Sequence, residues 1–76
     1  MSDIQKIKAT MTDVFAGTDL PDDISGLKMD DFKEWDSVGN FNLLLAIEDS
    51  FGIRFDIDEI TTIRSVSQIL ESLEKK

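Results

Sequence analysis

The side chains best suited to catalysis at neutral pH are missing from this chain. It contains no His, no Cys and no Tyr, the groups most often used to shuttle protons or to serve as activated nucleophiles. Carboxylates and hydroxyls remain. The pairs Asp22-Asp23, Asp30-Asp31 and Asp58-Glu59 have a composition that acid-base chemistry can use. Among 16 acidic residues, however, such pairs read as solvated surface or as helix-start charges. No window places oxygen ligands around a central glycine as a calcium loop requires. Gly17, Gly26, Gly39 and Gly52 are too dispersed for a phosphate-cradling loop, and zinc ligands other than carboxylates are absent. The chain is expected not to be an enzyme and to bind no specific metal.

One hydroxyl stands out by position. Ser37 lies in the run Glu34-Trp35-Asp36-Ser37-Val38, directly after an aspartate and at the end of a long polar segment. Ser and Asp at such a point are commonly helix caps and nothing more. A helix start also favours a bound anion through its exposed amides and its dipole, so a phosphodiester on Ser37 would be suitably placed. Both readings stand on these residues alone.

The elements that must position Ser37 follow from hydrophobic spacing. Ile4, Ile7, Met11, Val14 and Phe15 fall on one helical face, with Ser2 and Gln5 as a capping box and Gly17 as a stop. From Gly17 to Asp36 the pattern breaks around Pro21, Gly26 and a cluster of Asp and Ser. This predicts a long loop pinned by Leu20, Ile24, Leu27, Met29, Phe32 and Trp35. A second helix is expected from a cap at Asp36 to Ser50 or Phe51, before Gly52. Ile53 to Ile57 alternates like a strand but would have no partner strand, so it is read as loop. A short helix from Asp58 to Thr62 should turn Ile57, Ile60 and Ile63 inward. A last helix from Ser65, with Gln68 completing a second capping box, carries Val66, Ile69, Leu70 and Leu73 on one face.

The second helix has apolar residues on two sides. Asn40, Leu43, Leu44, Ile47 and Phe51 project one way, and Val38, Phe41, Leu45 and Glu48 roughly the other. The first stripe suffices for a core. The second either packs under the long loop or stays open beside Glu48 and Asp49, as apolar anchors with a charged rim.

Composition sets the outer bounds. A chain of 76 residues holds one domain, residues 1–76, that buries about 60% of its unfolded surface. With 41% hydrophobic and 32% charged residues it can still close a core, which argues against disorder. A formal net charge of -8 makes nucleic acid an unsuitable partner and a basic protein surface a better one. The Met1-Ser2-Asp3-Ile4-Gln5-Lys6 start leads into an interrupted apolar pattern, so neither a secretory signal nor a spanning helix is expected. Absence of Cys fits a reducing compartment, and the expectation is a soluble, cytoplasmic monomer with no membrane association.

From about Ile4 to Leu73 the sequence resembles the acyl carrier protein family. The most specific stretch, from Trp35 through Asp36-Ser37-Val38 to Gly52-Ile53, looks like the family's Asp-Ser-Leu attachment motif followed by its second helix. Ile63-Arg64-Ser65-Val66 resembles the turn that opens the last helix. The resemblance implies an all-α four-helix bundle of three main helices, a short third helix and a long first loop. It implies that a phosphopantetheinyl transferase attaches a 4'-phosphopantetheine arm to Ser37, beside Asp36, and that acyl groups ride on the arm as thioesters. Carried over by position, the partner-docking residues are Val38, Phe41, Leu45, Glu48, Asp49 and Phe55. These would meet acyl-loading and acyl-transfer enzymes with basic docking patches. Three departures matter: Val38 replaces the usual Leu, and Gly39 and Asn42 stand where fatty-acid carriers often have acidic residues. The Trp35-Asp36-Ser37 form looks more like discrete carriers of secondary metabolism or surface polysaccharide pathways than a fatty acid biosynthesis carrier. An aminoacyl or peptidyl carrier is the near alternative, though the Gly-Gly-x-Ser motif is absent. A helical interaction module without a prosthetic group is the alternative from another class.

Overall fold

The computed structural model describes residues 3–75, and the capping box expected at Ser2 falls outside them. Four helices follow one another: α1 (Asp3–Val14), α2 (Ser37–Phe51), α3 (Ile57–Thr62) and α4 (Val66–Glu74). The described residues contain no strand, so the all-α bundle with a short third helix is the architecture observed. No helix among them is long and apolar enough to cross a membrane.

Each helix boundary has a local cause. Gly17 takes a left-handed φ of 91°, and the chain closes there with Thr18 N–H donating to the Phe15 carbonyl at 3.0 Å. Gly52 ends α2 in the same way with φ 65°, its N–H returning to the Glu48 carbonyl, a backbone state that glycine adopts without a Cβ penalty. Asp56 and Glu59 form a capping box on α3, which therefore starts one residue earlier than the spacing predicts. At α4 the Ser65 hydroxyl accepts from Gln68 N–H at 3.2 Å. The Gln68 side chain reaches back as expected, but it accepts from Arg64 N–H at 2.7 Å.

The core is one cluster drawn from α1, α2, α4, the residues flanking the helices and the long loop, with the half-buried Ile60 of α3 packed against it. Ile7 and Met11 of α1 and Phe15 just after it meet Leu43, Leu44 and Ile47 of α2, with Ile63, Val66 and Ile69 closing the far side. Ile24 and Trp35 anchor the loop in this core, while Leu20, Leu27, Met29 and Phe32 pack against it half-buried. The inward assignment of Ile57 is incorrect: it is 79% exposed, whereas Ile63 is buried and Ile60 half-buried. At about 100° per residue, six residues leave Ile57 some 120° off the direction of Ile63. A spacing of three, repeated twice, drifts off the face.

Backbone pairing ties the long loop to the α3–α4 connection. Met29 N–H donates to the Arg64 carbonyl at 2.6 Å, and Val66 N–H to the Leu27 carbonyl at 3.0 Å. Asp31 braces the adjoining turn, accepting from Lys28 N–H at 2.9 Å and pairing with Lys28 Nζ at 2.6 Å. These bonds to Lys28 hold the Asp31 carboxyl below its ordinary value, and the same partner raises the Lys28 amine.

A buried polar relay completes the frame. Trp35 Nε1 donates to Asn40 Oδ1 at 2.9 Å, and Asn40 Nδ2 donates to the Ile63 carbonyl at 2.8 Å. One amide side chain thus joins the end of the loop, the first turn of α2 and the end of α3. Asn40→Ala would orphan two buried groups, each costing about 1–3 kcal/mol. We expect a lowered urea midpoint and faster hydrogen exchange at both α2 and the α3–α4 connection.

Candidate functional site

Ser37 is the first residue of α2, and its position is set from both sides. Trp35, two residues earlier, is fully buried and packs its ring 6.0 Å from Phe15 and 5.8 Å from Phe32, centroid to centroid. Asp36 is the N-cap, its Oδ1 accepting from Gly39 N–H at 2.8 Å. The chain is therefore held at Trp35 and Asp36, and Ser37 emerges exposed immediately after them.

This division of labour bears on the two readings of the Asp-Ser pair. Asp36 performs the capping. Among the described residues the Ser37 hydroxyl makes no hydrogen bond, so neither helix start nor core depends on it. Gly39 N–H is taken by Asp36, while the amides of Ser37 and Val38 belong to the first turn, where helical partners are absent by geometry. An exposed hydroxyl next to such donors fits a phosphodiester-linked group on chemical grounds.

Gly39 explains itself sterically. A Cβ at this position would overlap the Glu34 carbonyl oxygen and lie 3.1 Å from a Phe15 ring carbon. The loop backbone passes directly over α2 here, and only hydrogen leaves room. The missing acidic residue at 39 is thus a packing requirement, whereas Asn42 is exposed and nothing in the packing excludes a carboxylate there. Gly39→Ala should destabilise the protein by about 1–3 kcal/mol through backbone displacement, measured by urea unfolding. An Asn42→Asp change should leave unfolding within about 0.5 kcal/mol.

The outer stripe of α2 is open and not covered by the loop. Val38, Phe41 and Leu45 are 69%, 48% and 43% exposed, and Asp49 continues the line as an exposed charge. Glu48 is half-buried because its Oε2 accepts from Phe55 N–H at 2.6 Å, so it also secures the segment after α2. Leu45, Glu48 and Asp49 share an open cleft of about 450 Å³ with Ile53 and Arg54.

Phe55 does not belong with these residues. It is 7% exposed and part of the core, so its assignment to partner docking is corrected. Phe55 turns inward between the half-buried Ile53 and the exposed Ile57, and the Glu48 carboxylate holds its backbone there. Phe55→Ala should cost about 3–5 kcal/mol of unfolding free energy. Phe41→Ala should cost within about 1 kcal/mol. The reverse order in chemical denaturation would overturn the division between core and open stripe.

A second feature of the site lies beyond the reach of sequence spacing. A cleft of about 230 Å³ opens at Ser37, walled by Met29, Phe41 and Ile60 with Asn40, Thr61 and Arg64. Its residues come from the loop, α2, α3 and the α3–α4 connection, and no local motif links them. Among the described residues, no three carboxylates converge to hold a metal ion.

Comparison of the chain with protein-family models, with curated proteins and with solved structures finds no match.

Proposed function

We propose that this protein is a carrier whose Ser37 bears a phosphopantetheine arm and which presents acyl groups to partner enzymes. The observation that carries this reading is the free, exposed Ser37 hydroxyl beside a helix cap supplied entirely by Asp36. The resemblance of Asp36-Ser37-Val38 and the following helix to the acyl carrier attachment motif points the same way. Modification would join the Ser37 oxygen to the phosphate of phosphopantetheine as the nucleotide portion of coenzyme A leaves. When bound, the arm supplies a terminal thiol that holds acyl groups as thioesters.

The chain's own residues have distinct parts in this reading. Asp36 and the buried Trp35 fix where Ser37 emerges. Val38, Phe41 and Leu45 offer apolar anchors, and Glu48 and Asp49 offer charge, to enzymes with basic patches. A cytoplasmic setting, where coenzyme A and such enzymes are found, fits the absence of Cys. The open α2 stripe also suits a helical interaction module with no prosthetic group, for which Ser37 would be dispensable.

One experiment separates the two. Incubation with coenzyme A and a broad-specificity phosphopantetheinyl transferase should add the mass of one arm, and Ser37→Ala should abolish that gain with no loss of thermal stability. No gain across several transferases, together with partner binding indifferent to Ser37→Ala, would establish the interaction module instead.

A further inference from the structure

The cleft at Ser37 differs in charge from three other clefts among the described residues. Each of those carries carboxylates: Glu48 and Asp49 beside Arg54 in one, Glu59 and Glu71 beside Lys75 in the second, Glu34 and Asp36 in the third. The Ser37 cleft carries none and holds Arg64. In a chain of net charge -8, a basic, carboxylate-free recess at the one hydroxyl singled out by its position is a specific arrangement.

Apart from Ser37 and Arg64, the polar side chains of this cleft are accounted for. Both ends of the Asn40 amide are bonded, to Trp35 and to Ile63. The Thr61 hydroxyl donates back to the carbonyls of Ile57 and Asp58 at 3.0 and 3.1 Å. Lys8, Lys28 and Lys75 are in ion pairs, and Lys6 lies 4.6 Å over the Phe51 ring. The Arg64 guanidinium, like the charged groups of Lys33 and Arg54, has no ion-pair partner among the described residues; it is distinguished by its place in this cleft and by a backbone fixed through Met29 and Gln68. A guanidinium stays charged at all working pH values and recognises oxyanions through two parallel N–H donors.

From this arrangement we propose that Arg64 binds an oxyanion carried on Ser37, with Met29, Phe41 and Ile60 packing the methylene groups beside it. The proposal rests on the carrier reading and deepens it. Two parts of a loaded arm have this chemistry: the phosphodiester at its root and a carboxylate on the acyl group. In the second case the cleft selects dicarboxylic over neutral acyl cargo.

The test uses the whole chain and its Arg64→Gln variant, which keeps the backbone contacts of residue 64. Each is prepared unmodified and, with a broad-specificity transferase, bearing a bare, a butyryl or a succinyl arm from the corresponding coenzyme A thioester. Intact mass verifies each form. The readouts are the Arg64 Nε–H resonance and the Met29 and Ile60 methyl resonances. Movement of Nε–H on attachment of the bare arm, with nothing further on acylation, assigns the phosphodiester. Movement with the succinyl arm but not the butyryl arm assigns the carboxylate. In either case Arg64→Gln should reduce the accompanying Ile60 methyl shift at least twofold. A stationary Nε–H through all four forms, or methyl shifts that Arg64→Gln leaves unchanged, overturns the proposal. Failure of any arm to attach is visible in the mass alone; it overturns the carrier reading and this proposal with it, and so differs from an arm that attaches and ignores Arg64.

Discussion

The Asn40 amide is the point on which the architecture turns. A side-chain amide sealed in an apolar core is costly unless both its acceptor and its donors are used. Here the Trp35 indole supplies the donor, and the Ile63 carbonyl supplies the acceptor. These partners come from a loop without regular structure and from a short helix end, neither of which can hold itself in place. Satisfying one buried residue therefore aligns three segments around the start of α2. Hydrophobic contact could bring them together, but it is not directional; the amide fixes how they meet.

From that alignment the two faces of α2 acquire different fates. The loop end crosses the helix at Gly39, where no side chain fits beneath the Glu34 carbonyl. It then feeds Trp35 into the core and releases the chain at Ser37. Because the loop is committed to that side of the helix, it leaves Val38, Phe41 and Leu45 uncovered. The exposed apolar stripe is thus a consequence of how the loop is anchored. Glu48 shows the same economy: it stands on the outer side of α2 and yet holds the Phe55 backbone that closes the core.

Charge is distributed as selectively as apolar surface. The excess of carboxylates makes most of the exterior acidic, yet the recess beside Ser37 is lined by Arg64 and by no acid. An anion attached to Ser37 would meet a surface of opposite sign on one side, and the acidic end of α2 would remain available to basic partners. In the carrier reading, cargo and docking enzyme would thereby be recognised by separate parts of one small domain.

Much of this was legible in the sequence, for reasons that are local. Apolar spacing located α1, α2 and α4, since burying one face of a helix requires that period. Asp36, Gly52 and Ser65 marked boundaries through chemistry that acts within four residues. Ser37 could be singled out among the chain's hydroxyls because it directly follows an aspartate at a helix start. The α2 projection identified two stripes, but the same projection suits a covered stripe and an open one. Ile57 was misplaced because a six-residue helix provides too few turns for a period to fix direction, and Phe55 because carrying docking residues over by resemblance says nothing about which of them the core buries. The Trp35–Asn40–Ile63 relay, the need for Gly39 and the placing of Arg64 beside Ser37 depend on residues as much as 28 positions apart in the chain. The sequence by itself determined the helices, the caps of α2 and α4 and the candidate hydroxyl, all governed by interactions along one segment. Only the tertiary structure decided which stripe stays open and which charge faces Ser37, because both depend on where segments distant in sequence come to rest.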